Sequence, residues 1–208
     1  MDQALLPERL YGYNQNNLDM IDQRIDELLQ NYAKILVVRV DFYIREEYTL
    51  DITDRFMIEA WQRLRNNMRF NQLFAHCITS MAKLEYTPAR GWHFHTAFIF
   101  NGHHHQSEYG LGKAIQAYWE NTLAGMVGHA HLSSGQDYPI NGTGMVHYSD
   151  AKKILNVKYA LAYLAKIDFY QLNKIFTDAT GKNIRTFFIS QDKPKQGLRG
   201  RPRNDLKT

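Results

Sequence analysis

Apolar residues recur every three or four positions at Leu18, Ile21, Ile25, Leu28 and Leu29, with acidic residues on the far side, a spacing that predicts an amphipathic helix over 18–32. The pattern then changes. Residues 34–43 (KILVVRVDFY) form a β-branched, apolar run of the kind that makes a buried strand. Asp51 or Thr53 can cap a second helix running to about Met68, with Phe56, Ile58, Trp61 and Leu64 turned inward. Residues 73–86 and 92–100 read as an antiparallel hairpin closed by the turn Thr87-Pro88-Ala89-Arg90-Gly91. A polar loop over 101–110 leads to a helix over 111–126. The stretch 128–144, rich in Gly, Ser and Asn, reads as a long loop, and 145–148 as a short edge strand. Asp150 can cap a further amphipathic helix to about Ile167, and 184–190 is a last strand. Helices interspersed with strands around a central hairpin predict an α+β fold, an antiparallel sheet covered by helices and not a doubly wound one. No internal repeat is present. The expected organisation is an N-terminal helical segment over 1–33, a main domain over 34–192 and a basic, disordered tail over 193–208.

Composition narrows the class. A hydrophobic fraction of 44% in 208 residues is enough for a real core and excludes a disordered chain. The single cysteine, Cys77, excludes an intramolecular disulfide and a Cys-rich zinc cluster. No charged-then-apolar leader opens the chain and no apolar run approaches the roughly 20 residues that span a bilayer, so a cytoplasmic protein without membrane contact is expected. The net charge of +4 is unevenly spread. Residues 193–208 hold six basic residues against one acid, net +5, which leaves 19 basic and 20 acidic residues, net −1, in 1–192. A polyanionic partner reached by the C-terminus is the natural expectation.

Nine histidines give three His-x-His pairs: His93/His95, His103/His105 and His129/His131. The first alone falls on a predicted strand; the other two fall in predicted loops. Strand side chains alternate, so His93 and His95 leave one face while Trp92, Phe94 and Phe98 leave the other. Two imidazoles fixed side by side are half of a metal site. On the helix after Asp150, Tyr159, Tyr163 and Lys166 fall four and three apart and share a face, beside a separate apolar set of Leu155, Leu161, Leu164, Ala162 and Ala165. Such a helix presents hydroxyls to something.

A His-hydrophobic-His strand (His93-Phe94-His95) after a glycine turn, an apolar strand upstream and a later Tyr-x-x-x-Tyr-x-x-Lys helix resembles the HUH endonuclease superfamily, specifically its two-tyrosine rolling-circle replication initiators. More narrowly, the chain resembles the small prophage-encoded proteins of the YfjJ/YagK type, which are similar to filamentous-phage replication proteins. The resemblance implies a metal-dependent nickase and strand transferase acting on single-stranded or hairpin DNA at an origin. His93 and His95 would hold Mg²⁺ or Mn²⁺ with a carboxylate, Glu85 on the partner strand or alternatively Asp41. Tyr159 or Tyr163 would attack a phosphodiester and become linked to the 5′ phosphate, with Lys166 contacting phosphate or phenolate. With no GxxxxGK[ST] loop in the chain, unwinding would fall to a host helicase, and synthesis to a host polymerase. Lys195, Arg199, Arg201 and Arg203, around an Arg-Gly-Arg-Pro core that resembles an AT-hook, would contact DNA. The rival reading is a regulator that binds DNA on the same fold without catalysis. A second rival is a structural protein with both tyrosines buried away from His93 and His95.

Overall fold

A computed structural model describes residues 12–133, 140–168, 177 and 181–190. The tail and its four DNA-contact candidates, Lys195, Arg199, Arg201 and Arg203, lie outside the described residues. The order is α1 (Gln15–Asn31), β1 (Lys34–Ile44), α2 (Asp54–Asn67), β2 (Cys77–Thr87), β3 (Gly91–Asn101), α3 (Glu108–Tyr118), β4 (Gly128–Ser133), β5 (Gly144–His147), α4 (Ala151–Ala162) and β6 (Phe187–Ile189). The strands form one six-stranded antiparallel sheet in the order β4-β1-β3-β2-β6, and β5 also pairs with β1. This is the expected α+β fold, a central antiparallel sheet flanked by helices. Among the described residues no helix is long and apolar enough to cross a membrane.

Alternation along the strands divides the core in two. Leu36, Val38, Val40 and Phe42 of β1 and Phe94, Phe98 and Phe100 of β3 face α2 and α3. There Trp119 stacks on Phe42 at 4.5 Å between ring centres, and its indole N–H donates to the Tyr43 carbonyl at 3.2 Å. Ile35, Val37, Ala97, Ile99 and Met81 leave the opposite face and meet Leu18, Ile21, Ile25 and Leu28 of α1 and Val157 and Leu161 of α4. Burying a side chain of this size contributes roughly 1.5–3 kcal/mol, so both helices are held by their apolar stripes. Further along the same face the alternation continues, but the residues turn polar: Arg39, Asp41 and Tyr43 on β1, His93 and His95 on β3, Lys83 and Glu85 on β2. The helices cover the apolar half of this face. The polar half is the site.

Several boundaries differ from the sequence reading, each for a local reason. The stretch read as one long loop contains β4, which pairs residue for residue with the second half of β1 (Asp41 with His131, Tyr43 with His129), while β5 pairs with the first half. Cross-strand pairing, not intrinsic propensity, makes Gly128–Ser133 a strand. Its alternation leaves Ala130 buried in the first core and His129 and His131 exposed, so this histidine pair is on a strand after all. On α2 the buried stripe is Met57, Ala60, Trp61 and Leu64; Phe56 and Ile58 only flank it. Helix α3 starts at Glu108 and passes into a π-helical turn, Trp119–Leu123, which carries Trp119 into the core. Helix α4 ends at Ala162, short of Ile167, and tightens into a 3₁₀ turn, Tyr163–Ala165. Leu155 lies 63% exposed, outside the apolar set to which its spacing assigned it.

Candidate active site

The hairpin builds the centre. Glu85 pairs directly with His93 across β2 and β3, so both side chains leave the same face, and His95 follows one pleat along. Gly91 opens β3 with φ +60°, a left-handed conformation that favours glycine, and the site of a Cβ there is only 3.1 Å from Thr49 Cβ. The Gly91 carbonyl accepts a hydrogen bond from His93 Nδ1 at 2.9 Å, which leaves Nε2 as the lone-pair nitrogen. His93 Nε2 lies 3.8 Å from Glu85 Oε2. His95 turns its own Nε2 to the same oxygen at 3.2 Å, while its Nδ1 meets Asp41 Oδ2 at 2.9 Å. Ligand atoms from Glu85, His93 and His95 all fall within 4.8 Å of one another, and all three residues are buried.

These three residues could hold a metal ion, and their surroundings fit one. Both imidazoles turn Nε2 to the centre, and each Nδ1 has an oxygen behind it, the Gly91 carbonyl as hydrogen-bond acceptor for His93 and the Asp41 carboxylate as ion-pair partner for His95, an arrangement that sets ring direction in metal centres. Glu85 is the third donor, and Asp41, the alternative, sits behind His95 as its orienting carboxylate. Ser133 Oγ also donates to Asp41, at 3.4 Å.

Electrostatics keep Glu85 ionised and His93 neutral, and favour a proton on His95 that a bound metal would displace. Burial would raise the Glu85 carboxyl, but hydrogen bonds and charge from His95 and Lys166 outweigh it and hold it down at about 2. Burial opposes ionisation of Asp41 too, and His95 and Arg39 overcome it, again to about 2. Burial and then repulsion by His95 push His93 down to about 4, so it is neutral near pH 7. For His95, burial disfavours the charge, yet Asp41 and Glu85 raise its pKa above the ordinary value.

Tyr163 and Lys166 arrive from the turn after α4. The Tyr163 hydroxyl lies 3.4 Å from His95 Nε2 and 3.5 Å from Glu85 Oε2. Lys166 Nζ donates to that hydroxyl at 2.7 Å and pairs with Glu85 Oε1 at 2.6 Å. Burial and then the Glu85 charge raise the phenol's pKa, and Lys166 offsets this in part. The turn is pinned from outside, since Asn14 N–H donates to the Ala165 carbonyl at 2.8 Å and Ile167 N–H to the Gly12 carbonyl at 3.0 Å. Tyr159 is elsewhere. It packs half-buried against the second core, and no hydrogen bond or ring contact joins it to the site. Of the two phenols, Tyr163 alone is hydrogen-bonded to the centre.

The model of the YagK/YfjJ C-terminal domain matches residues 5–187. The chain belongs to this family. No curated protein and no solved structure matches it. The part of this YagK/YfjJ domain that matches contains all the residues of the centre and ends before the basic tail.

Sequence reasoning missed Arg39, Tyr43, Arg90, His129 and His131. All five line, with His95 and Tyr163, a cleft of about 660 Å³. Tyr43 stacks on His93 at 5.3 Å, and Arg39 lies 5.9 Å from the Tyr163 ring centre. A signal for two of them was present: in KILVVRVDFY, Arg39, Asp41 and Tyr43 are polar at every second position of an otherwise apolar strand.

Proposed function

We propose that this YagK/YfjJ domain is a metal-dependent DNA nickase and strand transferase of the HUH type, with Tyr163 as nucleophile, acting as a rolling-circle replication initiator of a phage or prophage. One observation carries the reading: a tyrosine hydroxyl from a helix-end turn stands within hydrogen-bonding reach of a buried Glu-His-His cluster and of a lysine. Both arms of the hairpin and the turn after α4, about 70 residues further along the chain, must converge to produce that grouping. Neither core requires it.

A bound Mg²⁺ or Mn²⁺, the imidazole pair favouring Mn²⁺, would offset the Glu85 charge and polarise the scissile phosphate. The chain's own residues supply the rest. Asp41 and the Gly91 carbonyl hold the two imidazoles in direction. Lys166 donates to the Tyr163 oxygen and stabilises negative charge there as the phenolic proton leaves to water. Arg39, buried beside Tyr163, adds a second cation near the phosphate. In-line attack forms the Oη–P bond and breaks the P–O3′ bond; the 3′ oxygen takes a proton from water, and the 5′ phosphate stays on Tyr163. The exchange is one phosphodiester for another, so no nucleotide need be hydrolysed and the step can reverse to rejoin strands.

The test is covalent capture. The full chain is incubated with Mn²⁺ and single-stranded oligonucleotides tiling the DNA around its gene, then run on a denaturing gel. A protein–DNA adduct formed by the parent and by Tyr159→Phe, but absent in Tyr163→Phe, is the expected result. No adduct with any oligonucleotide, together with retained DNA binding, would point instead to a non-catalytic regulator.

A further inference from the structure

The cleft extends well beyond Tyr163. Its floor is β1, and Arg39 at the Tyr163 end is four residues from Tyr43, a span of roughly 13 Å at the rise of a strand. At the far end Tyr43 lies between two partners. His93 stacks beneath it at 5.3 Å, and the Arg90 guanidinium from the hairpin turn sits 5.6 Å from its ring centre. Along one side, His129 and His131 of β4 stand opposite Tyr43 and Asp41 and are exposed to the cleft. His129 is steadied by Glu120 Oε1, 3.4 Å from its Nδ1, and its ring centre is 6.5 Å from that of Tyr43. Of the acids lining the cleft, Asp41 is engaged with His95 and Arg39, which leaves Glu46 on the outer wall. Arg90 makes no ion pair with a described residue. None of Tyr43, Arg90, His129 and His131 is among the three residues of the metal-type cluster, although Tyr43 packs on His93 and its hydroxyl donates to Asp41 Oδ2 at 3.5 Å.

We propose that Tyr43, Arg90, His129 and His131 form a binding subsite for the nucleotide next to the scissile phosphate of single-stranded DNA. Arg90 and the two histidines contact the flanking phosphate, and the base lies against the aromatic surface of Tyr43 and His129, with Arg90 swung onto its other face. Aromatic faces beside cationic side chains are how a protein holds unpaired bases without reading their sequence. A paired base keeps its faces stacked within the duplex and cannot reach the floor of the cleft, so the subsite selects single strands. The identity of the strand as substrate rests on the nickase reading; the subsite itself is measured separately.

The experiment uses the full chain carrying Tyr163→Phe, in EDTA, with a fluorescein-labelled twelve-residue oligothymidine bearing one 5-iodouracil. Ultraviolet cross-linking and mass spectrometry of the peptides should place the attachment at Tyr43 or His129. In anisotropy titrations, Tyr43→Leu and the triple change Arg90→Ala, His129→Ala and His131→Ala should each weaken binding at least about fivefold. The matching duplex should bind no more weakly to these variants than to their parent. Cross-links confined to other segments, or an affinity for the single strand unchanged in both variants, would overturn the subsite. Failure of the nickase reading looks different: cross-linking at Tyr43 persists, and no Tyr163 adduct forms with Mn²⁺.

Discussion

Asp41→Asn isolates what lies behind the ligands. Asp41 Oδ2 meets His95 Nδ1 at 2.9 Å, and the ligand-side nitrogen of that ring is the one turned to Glu85. Asparagine keeps the shape and removes the charge. A hydrogen bond to a charged group contributes about 1.5–3 kcal/mol, and loss of an orienting partner of a ligating histidine typically lowers metal affinity 10- to 100-fold. That range equals about 1.4–2.7 kcal/mol, so the two magnitudes agree. Isothermal titration of Mn²⁺ into the parent, Asp41→Asn, Glu85→Gln and His95→Ala should give a graded series. Asp41→Asn retains one Mn²⁺ with affinity reduced 10- to 100-fold, and the other two lose the site. Circular dichroism should show all four folded. An unchanged affinity in Asp41→Asn would remove the orienting role. A loss as complete as that of His95→Ala would make Asp41 a ligand and refute the division of labour between the two carboxylates.

Other outcomes follow from the same geometry. Because the two carboxylates beside His95 raise its pKa and metal must displace that proton, Mn²⁺ affinity should rise as pH rises above the ordinary histidine value, and a flat profile by titration calorimetry would contradict this. In urea melts of the metal-free chain, His93 folds with its pKa at about 4 against an ordinary 6.5, so the unfolded chain binds more protons in that window and stability falls as pH drops from 6.5 to 4. His93→Gln should flatten that segment of the profile. Glu85 and Asp41, both held at about 2, add stability above their ordinary values that is lost on further acidification toward pH 2. Gly142 carries α4: a Cβ there would meet Ala160 Cβ at 2.2 Å and the Asn156 carbonyl at 2.8 Å, so Gly142→Ala should destabilise by about 1–3 kcal/mol in the same assay.

The hairpin and its histidines were legible because period-two alternation and a glycine turn are local signals, and the register that sets Glu85 opposite His93 follows from a short turn. The first helix and β1 were legible because a three-to-four apolar spacing and an unbroken β-branched run are local signals too. Residues 128–133 were not, since Gly-His-Ala-His-Leu-Ser has a weak alternation and becomes a strand only where β1 offers it an edge. With β4 went His129 and His131, and with them one wall of the cleft. The end of α4 was also hidden. The tyrosine spacing is helical through Tyr163, and the 3₁₀ turn that follows and places Lys166 is held by backbone bonds to residues 12–14, about 150 positions away in the chain.

The division of one sheet face into an apolar half under α1 and α4 and a polar half under Tyr163 has a consequence for how this domain can change over time. Buried ionised groups such as Asp41 and Glu85 oppose folding unless each finds its partner, and well-packed apolar residues in their place commonly leave a protein as stable or firmer. The folding machinery lies in the other half of the face and in the core beyond the sheet, so it tolerates that exchange. The polar cluster is thus a removable insert: drift alone would convert it into apolar packing while the chain stays folded and keeps its outer surfaces. On the proposed reading, descendants that retain Glu85, His93, His95 and Tyr163 together are those in which the chemistry is selected, and a domain that has lost them can still fold.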